Sequence, residues 1–489
     1  MTNKPKVMSR REMLVQSGAA LVGGALLLHP KKADAECLRE PPKGASALDL
    51  PSSCSALPAG GYKPVVVPNG VKLPWKMIDG VKVYHLIAEE VEHEFAPGLK
   101  ATCWGYNGAV HGPLIEAVEG DTVRIFVTNR LPAATAVHWH GVLLPNGMDG
   151  VGGLNQRAIL PGETFKYEFS LHQATTAMYH SHHDEMTQMG LGMTGLFIIH
   201  PKKDFEPKVD RDFALLLHEW RIDPDTSRPN PNEMTEFNVL TINAKVFPAT
   251  EPLVVKTGER VRIRVGNLGA MDHHSIHLHG YFFAITDTDG GRIPESAQWP
   301  ETTVLVPVGS TRTVEFVADA PGDWALHCHM THHVMNQMGH QLPNMIGVKP
   351  GTLDAQVQKL LPNYMTMGEN GMGDMAEMGM DVPANSIPMV GGRGKHDYIT
   401  MGGMFTILKV RDELTSYDDP GWYENPPGTL ASPATEDDLR RNGITVPKVR
   451  KRARTDEYVC PMHKEVVKSA PGECPKCGMT LVPHHQGNP

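Results

Sequence analysis

Two features that would narrow the function of a 489-residue chain are missing from this sequence. It contains no run of about 18 apolar residues, so no ordinary membrane-spanning helix is predicted. It also lacks an excess of positive charge, because the formal net charge is −9, which argues against a nucleic-acid partner. Charged residues make up only 21% of the chain against 40% apolar residues, which argues against disorder throughout. The length predicts two or three domains.

The first 35 residues have the composition of an export signal. An arginine pair at 10–11 precedes an apolar run over 14–28, and an A-x-A cleavage pattern follows at 33–35. The arginine pair resembles a twin-arginine signal, and an ordinary basic leader is the alternative. We therefore predict a twin-arginine-type signal peptide over residues 1–35 and a periplasmic or extracellular protein.

An internal repeat indicates two homologous units. The segments 123–127 and 261–265 occupy matching places in the two copies, and both alternate apolar and polar residues as strands do. Pro-Gly turn signals separate these strands from the next ones. We predict an all-β protein built from two Greek-key β-sandwich domains, over 60–205 and 206–350.

Histidine is unusually frequent, and 14 of the 25 histidines fall in four windows that each contain a His-x-His motif. Side chains at positions i and i+2 of a strand point to the same face, so four such pairs can bring eight imidazoles to one metal pocket. Neutral imidazole binds copper, zinc, iron and nickel. A single motif of this kind would be a weak signal, because a structural or surface pair is an equal alternative. The eight histidines are His138, His140, His180, His182, His277, His279, His327 and His329.

Cys328 lies between the two histidines of the last motif, so its side chain is predicted to point to the opposite face of the strand. His333 follows it by five residues, Met338 follows it by ten, and His274 precedes the third motif. Two imidazoles, one thiolate and a weak thioether are the ligands of a blue-copper electron-transfer site. A zinc site more often has a second cysteine and no methionine.

Together these motifs resemble the multicopper oxidases, the family of laccases, ascorbate oxidase and cuprous oxidases, over residues of roughly 60–350. The resemblance implies cupredoxin-like domains that couple one-electron oxidation of Cu(I) or a phenol to four-electron reduction of dioxygen to water. It also implies four copper ions per active unit: one type 1, one type 2 and two type 3. The implied type 1 ligands are His274, Cys328 and His333 with Met338 axial, the type 2 ligands are His138 and His277, and the type 3 ligands are His140, His180 and His329 on one copper and His182, His279 and His327 on the other.

The resemblance assigns a proton relay and an assembly as well. Family oxidases use an acidic residue shortly after the first motif, and Asp149 matches it, with a turn-forming Asp-Gly as the alternative. Only 92 residues separate His182 from His274, too few for the third sandwich of a typical laccase. This spacing resembles the two-domain oxidases and implies a homotrimer with inter-subunit trinuclear clusters. Ser181 stands at the place equivalent to Cys328, so the first domain should lack a type 1 copper.

Nine methionines lie between residues 365 and 404, interleaved with Gly, Asp and Asn. Thioether is a soft ligand that selects Cu(I), and similar segments occur in cuprous oxidases of copper tolerance. A flexible surface loop or a substrate lid is the alternative. We predict a Met-rich extension and a wrapping segment over 351–447, in which 404–410 forms a strand that returns to the second domain.

The end of the chain carries a C-x-x-H and a C-x-x-C motif, formed by Cys460, His463, Cys474 and Cys477. This spacing can close a tetrahedral metal site, and a disulfide between two of the cysteines is the alternative. The segment resembles the small heavy-metal-binding domain attached to metal-efflux proteins. We predict a metal-binding module over 455–489 that takes copper or zinc, with the metal supplying much of its folding free energy.

The sequence therefore favours an exported multicopper oxidase, acting on Cu(I) or phenols in copper tolerance. A copper-containing nitrite reductase is also a two-sandwich trimer, but it has its type 1 cysteine in the first domain and needs only three histidines at its catalytic copper. A non-enzymatic copper-sequestering protein would not need the back-to-back arrangement predicted at Cys328.

Overall fold

The computed structural model describes residues 62–223, 226–336, 385, 387, 391–447, 458–460, 462–463 and 465–483. It confirms the predicted all-β class, with two sandwiches followed by a small separate sheet. The predicted signal peptide and Met338 lie outside the described residues. Among the described residues, no helix is both long enough and apolar enough to cross a lipid bilayer.

The first sandwich consists of two facing sheets around an apolar core that includes Trp139, Tyr167 and Phe197. One sheet has the order β1-β2-β5-β7, with β3 on β2, and the other has the order β4-β9-β8-β6, in strands numbered along the chain. Its strands are β1 (Trp75–Ile78), β2 (Val81–Ala96), β3 (Leu99–Tyr106), β4 (Ile115–Val118), β5 (Thr122–Asn129), β6 (Val137–His138), β7 (Thr164–Ser170), β8 (Thr175–Ser181) and β9 (Thr194–His200).

The second sandwich repeats this plan around a core that includes Phe213, Tyr281 and Phe316. Its sheets have the orders β11-β10-β13-β19-β15-β16, with β17 on β15, and β12-β23-β20-β14-β18. Its strands are β10 (Arg211–Trp220), β11 (Val239–Ile242), β12 (Leu253–Lys256), β13 (Arg260–Asn267), β14 (His274–Leu278), β15 (Phe283–Thr288), β16 (Gly291–Arg292), β17 (Trp299–Glu301), β18 (Thr303–Val306), β19 (Ser310–Val317), β20 (Gly322–Cys328) and β23 (Phe405–Arg411).

The last strand of the second sandwich comes after the Met-rich segment. Strand β23 pairs with β20 in antiparallel and with β12 in parallel orientation, so it completes the sheet that carries Cys328. It lies inside the range 351–447 that the sequence assigned to an extension and a wrapping segment. The Met-rich segment is therefore inserted between β20 and β23, two strands of one sheet. Without β23, β20 would lie at the sheet edge beside β14.

The remaining regular structure is small and lies in connections and at the end of the chain. A hairpin precedes β23, and three short strands form the terminal module, with order β25-β24-β26. The described residues also include two six-residue α-helices, the first of which begins three residues after the second His-x-His motif. These elements are β21 (Gly392–Gly394), β22 (Asp397–Ile399), β24 (Tyr458–Val459), β25 (Val467–Lys468), β26 (Val482–Pro483), α1 (Glu185–Gly190) and α2 (Glu436–Arg441).

Candidate metal centres

A sulfur site forms where three parts of the second sandwich meet. His274 begins β14, Cys328 ends β20, and His333 lies in the short 3₁₀ turn that follows. Cys328 Sγ is 3.9 Å from His274 Nδ1 and 3.5 Å from His333 Nδ1, and the two Nδ1 atoms are 3.1 Å apart. All three side chains are buried. The predicted ligands thus converge, and the predicted axial Met338 lies outside the described residues.

The electrostatics of the sulfur site favour a thiolate. Burial alone would raise the pKa of Cys328, but hydrogen bonding to His274 and His333 lowers it to about 6. A buried thiolate held by two imidazole nitrogens is a donor set that fits copper, because soft sulfur and imidazole are its preferred protein ligands. The residues present therefore fit the metal that the family resemblance implies.

Two carboxylates that the sequence did not identify support the imidazoles of the sulfur site. Glu219 Oε2, on β10, lies 3.5 Å from His274 Nε2, and Asp272 Oδ2 lies 3.6 Å from His333 Nε2. Glu219 is itself fixed by the backbone N–H groups of Met271 and Asp272, which donate to its Oε1. An acidic residue inside the apolar strand 213–220 was the available signal for Glu219, since a carboxylate is rarely buried without a partner.

The first half of the histidine cluster is formed by β6, β8 and the residues that follow each strand. His140 Nδ1 is 3.4 Å from His180 Nε2, and one ligand nitrogen from each of these residues and His138 lies within 4.8 Å of the others. The ring of His182 lies 5.5 Å from that of His138. Burial lowers the pKa of His180 to about 3, which keeps its imidazole neutral, the form that binds metals.

The second half repeats this arrangement on β14, β20 and their ends. His279 Nε2 is 3.2 Å from His327 Nε2, and the ring of His277 lies 5.4 Å from that of His329. His327 and His329 flank Cys328, whose sulfur lies in the separate buried set with His274 and His333. The alternation along this strand therefore presents sulfur to one centre and imidazoles to another.

Backbone carbonyls orient four of the cluster histidines in matched pairs. His138 Nδ1 bonds the carbonyl of Asp149 at 2.8 Å, and His277 Nδ1 bonds that of Thr302 at 2.7 Å. The Nδ1 atoms of His180 and His327 each bond the carbonyl of the next residue, at 2.8 and 2.9 Å. Because a ring nitrogen that donates to a carbonyl leaves the other nitrogen as the acceptor, these bonds leave Nε2 available as a ligand.

The described residues pair the cluster histidines within each half. Among these residues, no ring contact or hydrogen bond joins a histidine of the first half to a histidine of the second half. Each half alone presents four imidazoles.

Two carboxylates lie beside the first half. The predicted relay residue Asp149 places its Oδ1 3.7 Å from His138 Nδ1. Glu185, at the start of α1, lies 3.6 Å from His180 Nδ1 and 3.8 Å from His182 Nε2. The sequence did not single out Glu185, because its closeness to both rings depends on the helical turn that follows the motif.

The Met-rich insertion leaves and re-enters the fold beside the sulfur site. Gly402 N donates to the carbonyl of Val334, and Met404 N donates to the carbonyl of His333, at 2.8 and 3.0 Å. The adjacent Gly403 has a φ of 55°, and a Cβ there would lie 2.4 Å from the His333 carbonyl oxygen, so glycine is required at this return point. The methionines of 365–389 lie outside the described residues.

A cavity of about 250 Å³ is lined in part by His333 of the sulfur site. The rest of its lining combines apolar Phe237 and Leu240 with the polar side chains of Glu236, Asp272 and His332. The Nδ1 atom of His333 lies 3.5 Å from Cys328 Sγ, so the cavity shares one residue with the sulfur site.

The terminal module brings its four predicted ligands together. Cys460 Sγ is 3.5 Å from Cys477 Sγ, and His463 Nδ1 is 3.7 Å from Cys460 Sγ and 3.6 Å from Cys474 Sγ. All four ligand atoms lie within 4.8 Å of one another. The three cysteines are free thiols rather than disulfide partners, and this donor set suits a tetrahedral soft-metal site.

Comparison with known protein families agrees with this division of the chain. Residues 88–204 and residues 223–347 each match a family model described as multicopper oxidase. Residues 457–484 match a model described as heavy metal binding domain.

Curated relatives and solved structures carry related descriptions. The chain is 28% identical over 333 residues to copper resistance protein A of Pseudomonas syringae pv. tomato, covering 58% of this chain and 53% of the relative. It is 26% identical to copper resistance protein A of Escherichia coli, with 56% and 52% coverage, so it spans about half the length of these curated relatives. A blue copper oxidase from Nitrosomonas europaea is 28% identical with a TM-score of 0.50, covering 67% of this chain and 85% of that one. The multicopper oxidase mgLAC is also 28% identical, with a TM-score of 0.51 and coverage of 68% and 87%.

Proposed function

The chain belongs to the multicopper oxidase family, and from this premise we propose that it oxidises Cu(I), and phenols as secondary substrates, with dioxygen as the electron acceptor. The observation that carries the proposal is the position of Cys328 between His327 and His329. Its sulfur faces His274 and His333, while its two neighbours join the second half of the cluster. An electron-transfer site and an oxygen-reducing site need such a short covalent connection.

Bound copper would supply one-electron transfer at the sulfur site and four-electron reduction of dioxygen at the cluster. The chain itself would hold the thiolate, keep a buried cluster imidazole such as that of His180 neutral, and exclude water from the sulfur site by burying its ligands. Asp149 would deliver protons beside His138, since forming two water molecules from dioxygen consumes four protons. Four Cu(I) ions would supply the matching four electrons.

The active unit is proposed to be a homotrimer with clusters between subunits. Within the part of the chain that the structure describes, no hydrogen bond or ring contact joins the histidines of one half to those of the other, and an exposed apolar side chain flanks each half. Leu154 is 79% exposed in the loop that bonds the His182 carbonyl, and Phe282 is 78% exposed three residues after His279. Exposed apolar groups beside incomplete sites support contact with another copy.

The assembly is tested by Phe282→Asp, with Ile444→Asp as a matched change at another exposed apolar side chain. We expect Phe282→Asp to be monomeric by analytical ultracentrifugation, to keep the blue colour of the sulfur site and to lose cluster copper. The Ile444→Asp protein should remain trimeric with full copper. A monomeric wild-type protein that binds a complete cluster would contradict the proposal.

Cu(I) is proposed as the main substrate because the chain returns from the Met-rich insertion beside His333 and because carboxylates line the adjoining cavity. Gly402 N donates to the Val334 carbonyl, Met404 N donates to the His333 carbonyl, and Asp272 and Glu236 line the cavity. The relatives named copper resistance protein A support a role in copper tolerance. The terminal module is proposed to bind Cu(I) or zinc through Cys460, His463, Cys474 and Cys477, and the leader is proposed to direct export to the periplasm or the outside of the cell.

The reaction is tested by steady-state oxygen uptake on one copper-loaded preparation supplied in turn with Cu(I), a phenol and nitrite. We expect uptake with Cu(I) and the phenol, and its loss in Cys328→Ser. Cys103→Ser is the matched control, because Cys103 is an equally buried thiol in another apolar cluster. Oxygen uptake that survives in Cys328→Ser, or nitrite turnover without oxygen uptake, would overturn the proposed reaction.

The role of the Met-rich insertion is tested without changing its length. Replacing the seven methionines of 365–389 by leucine keeps the apolar volume and removes the thioether ligands. We expect Cu(I) oxidation to fall and phenol oxidation to stay within about twofold, because the sulfur site itself is unchanged. An equal loss of both activities would argue against a dedicated Cu(I) role.

A further inference from the structure

The first sandwich contains a structural counterpart of the sulfur site that holds no metal ligand set. Ser181 pairs with Val137 across β8 and β6, as Cys328 pairs with Ile276 across β20 and β14. The same register places Thr135, two residues before Val137, at the position of His274. In each sandwich, the two strand segments that carry the His-x-His motifs are here called ribbons. A short helical turn follows the second ribbon and carries Gln188 in the first sandwich and His333 in the second.

Hydrogen bonds link the three residues of this counterpart. Ser181 Oγ donates to Gln188 Oε1 at 2.6 Å, and Thr135 Oγ1 donates to the same oxygen at 2.7 Å. Gln188 Nε2 donates to the carbonyl of Ala134 at 2.8 Å. Gln188 is 1% exposed and the two hydroxyl residues are fully buried, so water does not compete for these bonds.

These bonds connect the two ribbons that carry the first half of the cluster. Ser181 lies between His180 and His182, while Thr135 begins the segment that reaches His138 and His140. In the second sandwich, the corresponding connection between β20 and β14 would run through a metal held by Cys328, His274 and His333. The first sandwich makes the same connection with a single amide side chain.

We propose that Gln188 is a positioning residue that sets the spacing of the two His-x-His ribbons of the first sandwich and keeps this half of the cluster formed without copper. The inference rests on the proposed function only in taking these histidines as copper ligands. It implies a difference between the two halves in copper-free protein. The first is held by the three hydrogen bonds of Gln188 at 2.6–2.8 Å, whereas the second is held by the longer contacts of Cys328, at 3.5 and 3.9 Å, and should gain order when copper binds there.

Gln188→Met keeps the size of the side chain and removes all three hydrogen bonds, and Gln188→Glu keeps an acceptor for both hydroxyls. Tyr84→Phe is the control, because it deletes one buried hydrogen bond, to the Glu116 carbonyl, from the other sheet of the same sandwich. Loss of groups that orient metal ligands typically weakens metal affinity about 10–100-fold. We expect Gln188→Met to lose cluster copper in that range while the blue colour of the sulfur site is unchanged, and Gln188→Glu to recover most of the loss.

Hydrogen exchange on copper-free protein provides a measurement that does not depend on activity. In wild type, amides of β6 and β8 should be protected before copper is added, whereas those at the end of β20 should gain protection on loading. Gln188→Met should lose the early protection, and Thr135→Val, which removes one bond, should lose part of it if the first variant does not fold. Full copper content and unchanged exchange in Gln188→Met, or an equal effect of Tyr84→Phe, would overturn the proposal. A wild type that binds copper as described but consumes no oxygen would instead refute the proposed function alone.

Discussion

Replacing Asp212 by asparagine should destabilise the two-sandwich body, because it leaves a buried arginine without its carboxylate. Asp212 is 2% exposed on β10 and accepts two 2.8 Å bonds from Arg264 and one of 3.3 Å from Arg262. The remaining partner of Arg264 is Thr176 Oγ1 at 2.8 Å, on the strand that carries His180. The carboxylate therefore supports the contact between the two sandwiches as well as the second sheet.

Removing one partner of a buried ion pair costs about 3–5 kcal/mol, since the other charge stays buried without compensation. Arg262 keeps Glu315 as a partner at 2.9 Å, so the lower end, about 3 kcal/mol, is expected here. For domains of 150–250 residues this corresponds to a fall in Tm of about 6–12 °C. Scanning calorimetry on copper-free protein measures it without the stabilisation that bound metal would add.

The sign of the pH dependence of this Tm difference follows from the pKa of Asp212. Burial alone would raise the pKa of Asp212, but Arg264 and Arg262 together hold it below the ordinary value of 3.8. A lowered folded-state pKa gives stability that is fully present above 3.8 and is lost as pH falls through the folded pKa. The difference in Tm between wild type and Asp212→Asn should therefore be constant from about pH 5 to 7 and shrink below about pH 4.

Two further proteins sharpen this experiment. Asp210→Asn is the matched control, because Asp210 is exposed at the entry to the same strand, and its Tm should stay within about 2 °C of wild type. The double variant Asp212→Asn, Arg264→Met should be less destabilised than the sum of the single changes, since it removes both buried charges. A change in Tm no larger than that of Asp210→Asn, or additive single effects, would refute the reasoning.

Three other outcomes are expected. Asp149→Asn should slow oxygen uptake at least about tenfold, as loss of a general acid does, while anaerobic reduction of the sulfur site stays unchanged. Equal rates of oxygen uptake in the variant and in wild type would show that Asp149 is not the proton donor. Cys474→Ser should abolish metal binding by the terminal module, measured by native mass spectrometry, and leave phenol oxidation unaltered; metal retention would exclude Cys474 as a ligand. Burial lowers the pKa of His93 to about 4, despite its bond to the Ala244 carbonyl. This residue is therefore protonated first in the unfolded chain, and its own contribution to stability should fall by about 3 kcal/mol as the pH drops from 6.5 to 4. His93→Gln should flatten that part of the curve of Tm against pH, and an unchanged slope would contradict the assignment.

Motif spacing was sufficient to predict where side chains point when the site residues lie on one strand. Alternation predicted that Cys328 and its two neighbours point to opposite faces, and the repeat predicted that Ser181 is equivalent to Cys328. In the structure, Ser181 pairs with Val137 as Cys328 pairs with Ile276. Spacing could not find Glu219 or Asp272, because each reaches its histidine from a different strand or loop. Their contacts depend on the packing of the sheets, which no local pattern encodes.

The alternation of apolar and polar residues also predicted strand β13 correctly, but it did not predict that the polar face of this strand is buried. The arginines of the Val-Arg-Ile-Arg-Val pattern at 261–265 would be solvent-exposed on a two-layer sandwich with one free face. Arg262 and Arg264 are instead 4% and 5% exposed, because Asp212 and Glu315 pair with them and Arg264 also donates to Thr176 of the first sandwich. The partner carboxylates lie about 50 residues away along the chain, beyond the reach of a periodic pattern.

If the chain has the proposed function, the meeting of the insertion's two ends at His333 allows the substrate-binding segment to change independently of the electron-transfer site. Gly402 N donates to the Val334 carbonyl and Gly403 N donates to Asn336 Oδ1, so the chain before the insertion is bonded to the chain after it. Lengthening or shortening the sequence between the predicted axial Met338 and Asn385 should leave these bonds and the pairing of β20 with β23 intact. Natural variants could therefore exchange one metal specificity for another through this stretch while inheriting the same redox core.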